Sequence, residues 1–286
     1  MRYLLILAIV LVSLCTGLPE IPFINPGNTS IQKAGVLIID SESPDVFIEV
    51  NAIPTEVKAS RNINVFFELR NKNLYDLKNV NLTVYDPCIF TGDMGKYIDN
   101  IGANRTVSFS LKLTAGETDL DKDCNVKFRV TYDAEYSLYQ DIAVLAQSEY
   151  EQREISGTLN NIPIQSSYPE SPLKISVSFS EVQPFMENEN YFLYLNYYNI
   201  GNGFVDARKG DIKIQIPSNV NNFNCADYDS SLVINKDLIF IGNRASSSTC
   251  SFTTVASQEM DIKSLTITAR YKYMLDNSIL IKVKRA

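Results

Sequence analysis

The chain of 286 residues contains no histidine. That absence removes His-ligated zinc and haem, the Ser-His-Asp triad and Cys-His catalysis together. No G-x-S-x-G, Walker or Rossmann pattern takes their place. Aspartates and glutamates are numerous enough for two-carboxylate chemistry of the glycosidase kind. None of them stands in a recognisable motif or beside a glycine-rich loop, so the chain reads as non-enzymatic. Long Lys/Arg runs are also missing. With 26 Lys+Arg against 33 Asp+Glu the net charge is −7, the wrong sign and distribution for a nucleic-acid partner. Beyond the N-terminus no apolar run is long enough to span a bilayer, and the mixed charges exclude a polytopic membrane protein.

What is present begins with an export signal. Arg2 is a short basic region, and Leu4 to Leu14 is apolar except for Ser13. Small residues follow at Cys15-Thr16-Gly17, and then Pro19 and Pro22. This order predicts a signal helix over residues 1–17, with cleavage after Gly17. Tyr3 to Leu18, about 16 residues, sits at or below the length of a spanning helix. An uncleaved anchor is the alternative, and it would confine membrane contact to this segment. Lipidation of Cys15 is disfavoured, because Leu14 stands where such a site needs a small residue. The chain is therefore expected outside the cell or on its surface.

Cys88, Cys124, Cys225 and Cys250 remain after the leader, two in each half. Four cysteines allow three connectivities. Cys88–Cys124 with Cys225–Cys250 is the one that keeps each half self-contained, each bridge contributing about 3–4 kcal/mol. No pair has C-x-x-C spacing, so structural disulfides are expected rather than metal or nucleophile. Three glycosylation sequons, at Asn28, Asn81 and Asn104, point the same way. Asn81 and Thr83 alternate with apolar neighbours, which places them on an outward face.

Period-2 alternation dominates after residue 44, with Asn, Asp, Gly and Pro turns and no strong amphipathic helix. Examples are Val46/Ile48/Val50, Ile63/Val65/Phe67/Leu69, Val126/Phe128/Val130/Tyr132 and Leu265/Ile267/Ala269/Tyr271. The expected fold is all-β: two tandem immunoglobulin-like antiparallel β-sandwiches after the N-terminal signal helix. The expected order is a connector over 18–44, a sandwich over 45–146, a Pro/Ser-rich linker over 147–171 and a second sandwich over 172–286. Ala34–Ile39 is expected as a first strand and Ile162–Gln165 as an edge strand. The halves resemble each other. Phe66 to Asn71 aligns with Tyr194 to Asn199 at an offset of 128, and Val130-Thr-Tyr132 aligns with Ala269-Arg-Tyr271 at 139.

Two clusters are candidate sites. Asp119, Asp121 and Asp123 alternate in a loop and could offer oxygens to Ca²⁺. They lack the glycine and glutamate of an EF-hand, and the solvated-loop reading is favoured. On one strand Tyr191 and Tyr197 share a face with Leu193 and Leu195, leaving Tyr194 and Tyr198 opposite with Phe192. An exposed aromatic face suits protein or glycan recognition. Packing against the other domain or the linker is the favoured alternative.

An alternating strand that ends in Asn, then a Gly/Asn turn (Tyr198-Asn-Ile-Gly-Asn-Gly203), then a further alternating strand, resembles the immunoglobulin-like CARDB modules of prokaryotic, especially archaeal, surface proteins. The first half departs from the pattern, with Asn71-Lys-Asn-Leu in place of Asn-x-Gly. The resemblance implies a cell-surface sandwich with an adhesive or structural role and carries over no catalytic residue. The function expected is binding of protein or glycan, and the alternative is a structural subunit of an envelope assembly.

Intact mass of the native protein, with thiols alkylated before and after reduction, tests this reading. The expected chain starts near Leu18 with four cysteines that react only after reduction. A chain starting at Met1 with free thiols overturns export.

Overall fold

The computed structural model describes residues 36–39 and 46–286 of the chain. The signal helix, its cleavage site, Asn28 and most of the 18–44 connector lie outside the described residues. The first half contributes β1 (Val36–Ile39), β2 (Val46–Ile53), β3 (Glu56–Lys58), β4 (Asn62–Asn71), β5 (Leu77–Asp86), β6 (Phe90–Gly92), β7 (Gly95–Ile101), β8 (Thr106–Ala115) and β9 (Lys122–Leu145). Then come helix α1 (Gln147–Ser156), a 3-10 turn at Leu159–Asn161 and β10 (Ser166–Ser167). The second half adds β11 (Leu173–Phe179), β12 (Phe185–Met186), β13 (Asn190–Asn199), β14 (Phe204–Asp206), β15 (Ile212–Gln215), β16 (Val220–Cys225), β17 (Ser248–Thr254) and β18 (Met260–Lys284).

The fold is all-β apart from α1 and that turn, and it is built from three sheets. A five-stranded sheet runs β1-β2-β4-β8-β6, and a four-stranded one runs β11-β13-β17-β16. The third is a nine-stranded sheet with the path β14-β18-β9-β5-β7, to which β3, β10, β12 and β15 add at the margins. Alternation in the sequence becomes alternation in burial: β4 places Ile63, Val65, Phe67 and Leu69 inside. On β13 Tyr191, Leu193, Leu195 and Tyr197 are the core residues.

The halves are not joined by a linker alone. β9 and β18 pair antiparallel over 24 consecutive positions, from Leu145↔Met260 to Lys122↔Val283. The N-terminal part of β9 has β5 as its other neighbour, and the remainder has β10 and β12. β18 pairs with β15 in the second half and, at Lys282–Lys284, with β3 in the first. One strand of each half thus completes the sheet of the other. The physical reason is in the residues. Even-numbered positions of β9 from Cys124 to Val144 and odd-numbered positions of β18 from Leu265 to Val283 turn inward almost without interruption. No Gly or Pro breaks either strand, so one register buries both apolar faces at once. Asp133 and Lys272, which correspond at the 139-residue offset, face each other. The ribbon therefore relates the halves by a pseudo-twofold axis. A single hydrophobic cluster runs through both halves.

The expected linker is also folded. α1 starts after Ala146 and ends at Gly157, whose φ of 68° is the left-handed cap that glycine favours. The helix buries no residue, so it leaves no amphipathic pattern to read. The edge strand expected at Ile162–Gln165 is found slightly later, as β10, pairing with Tyr139 and Gln140 of β9.

Each half carries the same turn after its inner strand. Asn71 and Asn199 are buried. Asn73 N–H donates to Asn71 Oδ1 at 3.0 Å, and Asn71 Nδ2 donates to Tyr75 O at 2.7 Å. Gly201 N–H donates to Asn199 Oδ1 at 3.2 Å, and Asn199 Nδ2 donates to Gly203 O at 2.8 Å. The glycines of the second turn have a steric cause. A Cβ on Gly201 would overlap the Tyr273 hydroxyl, and one on Gly203 would overlap Met274 O. The residue 139 positions before Tyr273 is Ala134, and there the first half places a tyrosine on the turn instead. Tyr75 lies against Tyr136, with its hydroxyl 3.2 Å from that of Tyr271.

Each disulfide closes within one half. Cys88 and Cys124 tie the segment after β5 to β9, and Cys225 and Cys250 tie β16 to β17. Bridges of this kind persist in oxidising compartments.

A shared sheet and a common core require the halves to unfold together. Calorimetry should show one transition, and Tyr273→Ala should lower its free energy by about 3–5 kcal/mol. Two separate transitions would contradict the fused architecture.

Candidate functional site

At the middle of the ribbon an open groove of about 1180 Å³ is walled by both halves. Its floor is the outward face of β9 and β18, and its sides are residues 74–78, 167–170 and 206–211. The groove exists because the neighbour of β9 changes there. Pairing with β5 ends at Leu77↔Ala134, and pairing with β10 starts at Ser167↔Tyr139. Main-chain groups along a strand alternate between its two sides. Asp141 N–H donates to Gln165 O on the β10 side, while Ala146 N–H donates to Glu259 O on the opposite side. Ser137 therefore directs its N–H and C=O into the break, where no described residue pairs with them.

Charge in the groove is paired internally. Arg270 Nε donates to Glu135 at 2.8 Å, and Lys272 Nζ lies 3.8 Å from Asp133. Arg208 forks onto both oxygens of Asp206 at 2.8–3.1 Å. Asp211 accepts the Arg208 N–H at 2.7 Å, and partial burial raises its carboxyl pKa above the ordinary range. Among the described residues only Lys78 and Glu170 of the groove's charged groups have no ionic or hydrogen-bond partner.

Five tyrosines, Tyr75, Tyr136, Tyr139, Tyr168 and Tyr271, are among the lining residues, with Leu74 and Pro169. Tyr139 is 47% exposed and Tyr168 is 36% exposed. Tyr168 donates its hydroxyl to Gln140 Oε1 at 2.6 Å, which fixes the ring. Beneath them Tyr136 donates to Leu173 O at 2.6 Å, and the Tyr271 hydroxyl meets Ser171 Oγ at 2.9 Å. Burial raises the Tyr136 hydroxyl far above the usual phenol range, so it stays a proton donor.

The sites marked in the sequence lie elsewhere. Tyr194 and Tyr198 stand half-buried on the outer face of β13, beside a 48%-exposed Phe192. Arg244 lies 5.3 Å over the Tyr198 ring, a cation–π contact that already covers part of this face. Asp121 accepts Lys284 Nζ and Arg285 N–H, each at 3.1 Å, and these bonds, the Arg285 one first, hold its pKa low. Asp119 and Asp123 are exposed. Among the described residues no three carboxylate or cysteine side chains come together as a metal site. Asn81 and Asn104 are exposed, Asn81 within a strand and Asn104 at a turn with φ 55°. No described helix is long and apolar enough to cross a membrane.

No family model and no curated protein matches the chain. Among solved structures, red sea bream transglutaminase aligns with 84% of this chain at 10% identity and a TM-score of 0.20. The chain spans 31% of that protein's length, and a likeness this low carries no argument.

The raised pKa of Asp211 has a measurable sign. Its folded-state pKa exceeds the unfolded one, so acidification through that window favours the folded state. Asp276, held low mainly by its hydrogen bond from Arg129, acts oppositely and loses its contribution as pH falls through its folded-state pKa. Carboxyl ¹³C titration should place Asp211 above, and Asp276 below, an ordinary aspartate. Coincident midpoints would refute the assigned environments.

Proposed function

We propose that this is an exported, non-enzymatic cell-surface protein that binds protein or glycan through its fused, immunoglobulin-like β-sandwich halves. The observation that carries the reading is the groove at the middle of the ribbon. It is concave and lined with tyrosine and paired charge, as recognition sites are. The disulfides support an oxidising destination, and the exposed sequons at Asn81 and Asn104 leave room for glycans. The matching asparagine turns support the resemblance to CARDB-like modules. Such modules serve surface proteins, with membrane contact, if any, through residues 1–17.

A second reading, a structural subunit of an envelope assembly, draws on the ribbon itself. Twenty-four paired positions at about 3.4 Å each make a continuous stiff element about 80 Å long. Such an element suits a spacer.

The purified full chain, incubated with isolated envelope fractions, distinguishes the two. Saturable binding by a soluble monomer is expected for the recognition role. High-copy co-purification with the envelope, without saturable binding of added protein, favours the assembly role. No association of either kind overturns both.

A further inference from the structure

We propose that the groove takes an uncharged oligosaccharide, an assignment that rests on the recognition role above. Three independent features converge on it. The first is charge. Glu135, Asp133 and Asp206 already have cationic partners within the groove. With six carboxylates against four cations lining it, the site offers no positive field for an anionic polymer, and half of its carboxylates are already engaged by cations. What remains is an array of planar, hydrogen-bonding groups. A carboxylate and a guanidinium set edge to edge can accept from and donate to neighbouring hydroxyls without unpairing.

The second feature is the tyrosine surface. Tyr139 exposes ring area on the outward face of β9, inside a polar groove. A sugar ring presents an apolar C–H face bordered by hydroxyls, and an exposed aromatic face beside polar groups matches that arrangement. The third is the gap in pairing along β9. Ser137 holds an unpartnered N–H and C=O toward the groove, one donor and one acceptor, matching a hydroxyl that both donates and accepts.

The break is too short to seat a strand. Asp76 precedes β5 on one side, and Tyr168-Pro169 follow β10 on the other. Pro169 has no N–H to extend the ladder. Addition of an extended peptide is thus disfavoured by the same geometry.

The test uses the full chain on an array of neutral and anionic oligosaccharides, followed by calorimetric titration with the strongest binder. Neutral glycans should dominate. Tyr139→Ala, on an exposed ring, should weaken the titrated affinity about tenfold, while Tyr194→Ala on the distant sheet should leave it unchanged. A native amide-exchange experiment, needing no variant, should show the Ser137 amide exchanging faster than those of Tyr136 and Leu138 and slowing when the glycan is present. Binding confined to anionic glycans, an unchanged affinity in Tyr139→Ala, or no slowing at Ser137 overturns the proposal. A silent array with intact envelope binding overturns the glycan assignment while the recognition role stands. A silent array without envelope binding removes both.

Discussion

Everything distinctive about this molecule depends on the pairing of β9 with β18. Twenty-four positions in one register bind a strand of the first half to a strand of the second. Each then takes different neighbours in succession along its length, within one sheet. The constraint is strict because the side-chain period is two: a slip of one residue would turn every buried position, from Cys124 to Val144, out to solvent. Cross-strand charges reinforce the same register on the wet face. Arg129 makes two short bonds to Asp276, and Arg270 and Lys272 sit beside Glu135 and Asp133. Exposed pairs of this kind contribute little energy each. Their value lies in penalising the registers that would set like charges together.

The groove is a by-product of that pairing. A sheet continuous along β9 and β18 does not keep one neighbour over its whole length: β5, from the first half, gives way to β10, from the segment that follows β9. Where the neighbour changes, the main chain is left open and side chains from both halves surround the gap. The same place holds the pseudo-twofold axis. It is the one region where residues of both halves must meet with near-equivalent chemistry but need not be identical. Tyr273 packs on the turn at Gly203, whereas in the first half the tyrosine is on the turn itself, as Tyr75, and the position equivalent to Tyr273 is Ala134, so the large residue sits on opposite partners in the two copies.

Much of the architecture was legible in the sequence. The alternation in β2, β4, β9 and β18 gives both the strands and their inward faces, and the cysteine spacing agrees with the observed bridges. The assignment of Tyr191 and Tyr197 to the core follows from Leu193 and Leu195. The fusion of the halves was not legible, because alternation reports which face is buried and says nothing about which strand lies beside it. α1 escaped for the opposite reason, since a helix that buries nothing has no apolar period. The groove residues Tyr139, Tyr168, Glu135 and Arg270 are scattered along the chain and converge only through the register. Asp121 could not be recognised as a partner of Lys284 and Arg285 without knowing that β18 returns to the first half.

That return has a consequence for the order in which the molecule is assembled. Glu56 to Lys58 find their sheet partners at Lys282 to Lys284, more than two hundred residues later. Cys124 to Val130 likewise face Leu275 to Ile281. Until those late residues are available, β9 keeps an open edge along Cys124 to Val130, where alternate residues belong to the core, and the first half waits half-built. A chain with such distant contacts nucleates slowly, since loop closure must precede any gain from pairing. The first half therefore stays pliable while the rest of the chain is made, and it sets only when the chain's own tail arrives.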